Sequence, residues 1–210
     1  MSIAKTVEEY ITSHPSVKDC LKNDLVNFSS LSRKIASECS LSAKKDFDAI
    51  LIACRRFQRK IRQTESYEKK IIETLKRSKI EIKNKICVIV CEKDVHSSVF
   101  ESIEKELKRK NETFRLIEGA SAITIIFPED FYDFIMKQLR NKVITENEKL
   151  AEIIIKSPPE IESVPGAYAY LCSILGENGI NIVETLSCWT DTIFVVDEKD
   201  VGKIITMLRF

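Results

Sequence analysis

Glycine and proline are scarce, with five of each in 210 residues. This excludes collagen-like repeats and long low-complexity linkers. Uninterrupted apolar runs are short, none near the roughly 20 residues that a bilayer-spanning helix requires. Glu8 and Glu9 sit where a secretory leader would carry its apolar stretch, so no signal peptide is expected. Excess charge of one sign is missing too: 33 Lys and Arg face 32 Asp and Glu, a formal net charge of +1. With 44% hydrophobic residues, the chain is too apolar and too neutral for intrinsic disorder. It is expected to be globular and large enough for one domain or about two to three small ones.

No Cys-x-x-Cys pair occurs among the seven cysteines, an odd number. A disulfide scaffold is not expected, and a reducing cytoplasm suits the composition. Cys87 and Cys91 resemble a ligand pair, but residues 86–91 read as a strand, where four residues span about 13 Å. One metal ion cannot bridge that distance, so buried, inert thiols are the expectation and no metal site is assigned. P-loop, G-x-G-x-x-G, G-x-S-x-G and H-E-x-x-H motifs are all absent. His14 and His96, the two histidines, read as a helix-end cap and a surface-loop residue. No catalytic constellation and no cofactor are expected.

What is present divides near residue 78. Before Lys79 the chain has 16 basic and 10 acidic residues; after Ser78 it has 17 and 22. The two halves therefore suit different partners. Periodicity changes at the same place. Up to residue 78 apolar residues follow a helical period: Val7, Tyr10, Ile11; Val17, Cys20, Leu21; Leu31, Ile35, Cys39; Phe47, Ile50, Leu51, Cys54, Phe57, Ile61. Asn27 or Ser29 suits the cap of the third helix, and Ser42 with Asp46 and Asp48 the start of the fourth. A narrow stripe of Tyr67, Ile71 and Leu75 reads as a connector helix.

Beyond residue 79 one order of elements occurs twice. Residues 86–91 read as strand, 98–110 helix, 113–118 strand, 122–127 strand, 131–140 helix and 143–149 a weaker strand. Then come 152–156 strand, 166–175 helix, 180–186 strand, 192–196 strand and 201–208 helix. Ile86 and Ile153 are 67 residues apart, and Leu139 and Leu208 are 69 apart, so the copies are nearly in register. Each is a βαββαβ unit of the ferredoxin-like kind. The fold class expected is α+β: a helical domain (1–78), a first βαββαβ domain (79–149) and a second (150–210), the last without a full fourth strand.

The second copy carries a local signature. Ser163-Val164-Pro165-Gly166 joins its first strand to its helix, Gly176-Glu177-Asn178-Gly179-Ile180-Asn181-Ile182 leads into the next strand, and Phe194-Val195-Val196-Asp197 follows. This stretch resembles an ACT domain, a regulatory module that commonly binds amino acids. The first copy departs from the pattern, with Val95-His96-Ser97-Ser98 in place of Pro-Gly and Lys110-Asn111-Glu112-Thr113 in place of the Gly-Ile-Asn step. The whole chain resembles a group of prokaryotic proteins in which a helical, winged-helix-like segment precedes two ACT-like repeats.

The resemblance implies a small effector, an amino acid, held by Ser163, Val164, Pro165, Gly166 and Ala167 together with Asn178, Gly179, Ile180 and Asn181. Gly166 and Ala167 would offer backbone N–H groups at a helix N-terminus to a carboxylate, and the Asn181 amide would orient a polar end. Trp189 stands in the following hairpin, as a stacking partner or as an ordinary exposed aromatic. In the family such sites lie between two ACT units, so ligand binding biases one pairing over another.

The helix over 46–62 sets Arg55, Arg56, Arg59, Lys60 and Arg62 opposite its apolar stripe. Such an arc suits duplex DNA phosphates; it is also what a solvated helix looks like, and Ile52 interrupts it. The run 27–36 before it resembles the start of a helix-turn-helix. Two outputs follow: transcriptional control through this helical segment, or allosteric control of a metabolic enzyme with the segment as a docking module. No membrane partner is expected. With only Arg209 and Phe210 after Leu208, the edge at residues 152–156 is left open, and an open apolar edge promotes association. Either residues 143–149 or a second chain should cover it, and a homodimer is expected.

Overall fold

A computed structural model of the chain describes residues 2–62 and 67–210. The chain divides into two compact units, 1–66 and 67–210.

The first unit is built from four helices, α1 (Ile3–Ser13), α2 (Pro15–Lys22), α3 (Phe28–Glu38) and α4 (Phe47–Arg62). The helical period places Val7, Ile11, Leu21, Ile35, Ile50 and Cys54 in one core. Cys20, assigned to the apolar stripe from its spacing, is exposed. Asn27 caps α3, its side chain accepting from the Ser30 N–H at 3.0 Å. Ahead of α4 the Ser42 hydroxyl accepts from the Lys45 N–H at 3.1 Å, and Asp46 accepts from the Ser42 N–H at 2.8 Å. The helix-turn-helix and winged-helix expectations are not met. Residues 39–46 join α3 to α4, longer than the turn of about three or four residues such motifs use, and residues 2–62 contain no strand to form a wing.

In the second unit α5 (Tyr67–Lys76) is more than a connector: Ile71 and Leu75 are buried in the core of the second repeat. After it come β1 (Lys79–Cys91), α6 (Ser97–Arg109), β2 (Arg115–Glu118), β3 (Ile123–Pro128), α7 (Tyr132–Leu139), β4 (Val143–Lys156), α8 (Ala167–Glu177), β5 (Ile182–Cys188), β6 (Asp191–Asp197) and α9 (Val201–Met207). The strands form one antiparallel sheet in the order β2-β3-β1-β4-β6-β5.

Both repeats share its two long central strands. Residues 86–91 of β1 begin the first repeat, and 143–147 of β4 close it. Residues 150–156 of β4 begin the second, and its fourth position is filled by 79–83 of β1, with Lys79 opposite Lys156 and Ile82 opposite Ile153. This corrects the expectation about the open edge, because neither residues 143–149 nor a second chain covers it. The K-I-E-I-K alternation of 79–83 supplies the strand that the chain does not form after α9.

The joint between repeats is a pair of matching irregularities. Register shifts flank the Ile86–Leu150 pair, and the residue before each, Lys85 at φ 56° and Lys149 at φ 57°, is left-handed. Such bulges bend strands and increase their twist. The bend is large: Thr124 on β3 lies 3.5 Å from Glu184 on β5, four strands along, where a flat sheet would separate them by about 19 Å. The sheet thus folds over on itself. Ile86, Val88, Ile126, Leu150 and Val195 are buried between its halves. On the outer faces Cys87 and Ile89 pack with α6 and α7, and Ile153 and Ile155 with α8 and α9. Burial on both faces explains why these strands read as near-continuous apolar runs.

Candidate ligand site

The segment between β4 and α8 is a short 3-10 turn (Pro159–Ser163), then buried Val164 and exposed Pro165 and Gly166. Gly166 is the N-cap of α8 with φ 86° and ψ −2°, and no side chain caps the helix there. A Cβ on Gly166 would meet only Ile71 Cδ1 at 3.6 Å, an ordinary contact. The left-handed backbone, not lack of space, is what calls for glycine.

Beneath this bare helix start lies a cavity of about 440 Å³. Val164, Gly166, Ala167, Tyr168 and Leu171 form one wall; Ser187, Trp189 and Thr192 of the β5–β6 hairpin form the other. Tyr168 is fixed by its hydroxyl, 2.7 Å from the Thr185 hydroxyl, and by stacking on Phe194 at 6.1 Å. Burial pushes its phenol pKa up. Trp189 is 68% exposed at the hairpin tip. Glu162 on the rim carries the one formal charge among the described lining residues.

The structure brings together only part of the expected set. Val164, Gly166 and Ala167 line the cavity, with Pro165 in the turn beside them, but the Ala167 N–H, expected to face a carboxylate, donates to the Val164 carbonyl at 3.4 Å. Ser163 faces back, donating to the Glu160 carbonyl at 2.9 Å. Asn178, Gly179, Ile180 and Asn181 stand beyond the other end of α8, whose 11 residues span about 16 Å. They terminate the helix. The Gly179 N–H reaches the Gly176 carbonyl and the Ile180 N–H the Leu175 carbonyl, both at 3.0 Å, the paired bonds of a Schellman motif. Asn178 donates to the Ile174 carbonyl at 2.8 Å, and its own carbonyl accepts from the Lys203 ammonium. Sequence reasoning missed Glu162, Tyr168, Ser187 and Thr192, which carry no motif; Trp189 was legible as a hairpin aromatic.

The first repeat has a cavity of about 600 Å³ in the same place, lined by Val95, Ser97, Phe100, Phe114, Leu116 and Ile123 among others. Its helix start is closed, because His96 Nδ1 accepts from the Ser98 N–H at 3.3 Å. The departure at 95–98 therefore replaces a bare helix terminus with a capped one. The departure at 110–113 changes less: Asn111, at φ 59°, takes the left-handed place of Gly179, and the Glu112 N–H bonds the Leu107 carbonyl at 2.9 Å.

In the first unit the basic arc is partly engaged. Lys60 pairs with Glu8 at 2.6 Å, Arg62 with Asp24, and the Arg55 guanidinium lies 5.7 Å from the Phe28 ring centre. Arg56 lines a groove with Ile52. Arg56 and Arg59 form no ion pair among the described residues. No group of three or more His, Cys, Asp or Glu able to hold a metal ion occurs among the described residues, and no helix is long and apolar enough to cross a membrane.

The fold and cavity define a tandem pair of ferredoxin-like βαββαβ units joined through one sheet. Its likenesses among solved structures include the regulatory subunit of aspartate kinase from Thermus thermophilus (TM-score 0.49, 12% identity, 61% of this chain and 92% of that one). Aspartate kinase from Clostridium acetobutylicum is similar at TM-score 0.48 and 16% identity, over 62% of this chain and 33% of that one. Aspartokinase III of E. coli, in complex with aspartate and ADP, is similar at TM-score 0.48 and 11% identity, over 61% and 32%. No protein-family model matches the sequence, and no curated protein does.

Proposed function

We propose that the chain is a regulatory rather than catalytic protein, binding a small amino acid in the cavity at the start of α8. The observation that carries the reading is the uncapped, glycine-led helix N-terminus opening onto that cavity. A carboxylate is favoured there by the helix dipole and by first-turn N–H groups beyond Ala167, whose own N–H donates to the Val164 carbonyl at 3.4 Å. Glu162 on the rim complements the ammonium group of the same ligand, and Trp189 and Tyr168 offer apolar faces to its side chain. The lining holds one carboxylate and no histidine or cysteine, which suits recognition better than acid–base chemistry.

A thermal-shift screen of the full chain against the twenty common amino acids tests this. At 100 times its dissociation constant a ligand adds about 2.7 kcal/mol of stability. The shift should be lost when Glu162→Gln and Trp189→Ala, both at exposed positions, are combined. A screen without any shift, or a shift unchanged in that variant, overturns the reading.

For the output, protein docking is the better supported of the two routes. Three of the five arc residues are engaged within their own unit, and an apolar groove opens beside Arg56. Transcriptional control through duplex DNA rests on the basic arc alone. Cytoplasmic location and a homodimer complete the proposal, the dimer forming through an edge other than residues 152–156.

A further inference from the structure

Within the first unit, residues of α1 and α4 line a groove of about 480 Å³. Its depth comes from alanine. Ala4, Ala49 and Ala53 line it, and having nothing beyond Cβ they leave the space that larger residues would fill. Phe57 and Ile52 add apolar surface, and Ile52, 49% exposed, is apolar within an otherwise charged arc. One end is closed by the Lys60–Glu8 ion pair at 2.6 Å. Arg56 stands on the rim, with Arg59 one turn further along the same helix.

We infer that this groove is the docking site for an acidic amphipathic helix of a partner protein, which seats a large apolar side chain against Ile52 and Phe57 and sets carboxylates against Arg56 and Arg59. Charge complementarity selects this occupant. Beyond the neutral Lys60–Glu8 pair the rim is basic through Arg56 and Arg59 and the floor is apolar, and a helix with apolar anchors three and four residues apart, flanked by Asp or Glu, matches both. Duplex DNA matches the rim only, since its phosphates present no apolar surface to Ile52 and would lose hydration against it. The inference names the partner for the output side of the proposed function and rests on that reading. Because the groove lies in the first unit and the amino-acid cavity in the second, each can be tested and fail separately.

The test uses the full chain and a labelled synthetic peptide of about four helical turns, with Leu on one face and Glu on the flanks, read by fluorescence anisotropy. Binding should weaken with salt, fall about tenfold for Ile52→Gln, as expected when an apolar anchor loses its pocket, and fall again for Arg56→Gln. A version of the peptide with Lys for Glu should not bind. Both substitutions lie on exposed side chains, and an unchanged melting temperature shows that the fold survives. Three results overturn the inference: no binding of the acidic peptide at low salt; binding unaffected by Ile52→Gln; or retention of random duplex DNA that falls with Arg56→Gln but not with Ile52→Gln. A concentration-dependent dimer abolished by Ile52→Gln would also overturn it, by making a second copy the occupant.

Discussion

Burial sets the chemistry of single residues here. Cys54 and Cys87 lie in cores, and burial pushes their thiols up to about 11 and about 12; Cys91 is raised for the same reason. Because the thiolate is the reactive form, native protein should modify first at exposed Cys20 and Cys188, with Cys54, Cys87 and Cys91 reacting only after unfolding. Timed labelling with a thiol reagent and peptide mapping checks this order. Tyr10 illustrates the opposite coupling. Its hydroxyl donates to Glu38 at 2.7 Å, and burial with that bond raises the phenol to about 12 while the carboxyl is held below its ordinary value. The lowered carboxyl stabilises the fold above the ordinary Glu range, and this contribution is lost as pH falls through that range. The raised phenol contributes below about pH 10, and that contribution is lost as pH climbs towards 12. Tyr10→Phe should therefore raise the Glu38 pKa measured by NMR and flatten both limbs of the pH–stability curve; an unmoved Glu38 titration would refute the coupling.

At the scale of elements, the two termini of α8 assign opposite roles to neighbouring glycines. Gly166 is left-handed, whereas Gly176 lies within the helix with open space around its Cβ position. Gly166→Ala should cost about 1 kcal/mol for the left-handed backbone, and Gly176→Ala should add about 0.5 to 1 kcal/mol through helix propensity. Urea denaturation of both variants decides, and equal signs would be the failing result. Most elements were legible because local signals agreed with tertiary demand: Asn27 capping α3, the helical stripes of α1, α3 and α4, and the apolar runs of β3 and β6. Residues 79–83 were harder to place. They fall in none of the strands expected from the sequence: their partner lies about seventy residues away, and nothing local states that they complete the second repeat. The bare start of α8 was legible at Gly166, where conformation is encoded in residue type. Asn178 to Asn181 belong to the same pattern for a different reason: they end the helix.

For the whole molecule, the fold-over of the sheet is the feature that period and spacing could not convey, because it depends on Lys85 and Lys149, non-glycine residues in left-handed backbone. It brings together a charge pair with one buried member: Arg115 of β2 donates to Glu152 of β4 at 2.7 Å, the Glu152 side chain 2% exposed and the Arg115 side chain 25%. Removing the arginine leaves a buried carboxylate without compensation, so Arg115→Ala should destabilise by about 3 kcal/mol, with part recovered when Glu152→Ala is added. The same architecture changes what association requires. With β1 on one side and β6 on the other, Ile153, Ile154 and Ile155 have neighbours in both directions, and their amides should be among the slowest to exchange at every protein concentration. The edges left to pair with another chain are β2 and β5, and β5, with seven residues against four, is the longer. A dimer formed by strand addition should therefore slow exchange along β5 as concentration rises, leaving residues 153–155 unchanged. Hydrogen exchange followed by mass spectrometry over a concentration series separates the cases. Protection at 153–155 that appears only at high concentration would mean that the edge is covered by a second chain after all, and that β1 does not complete the second repeat in solution.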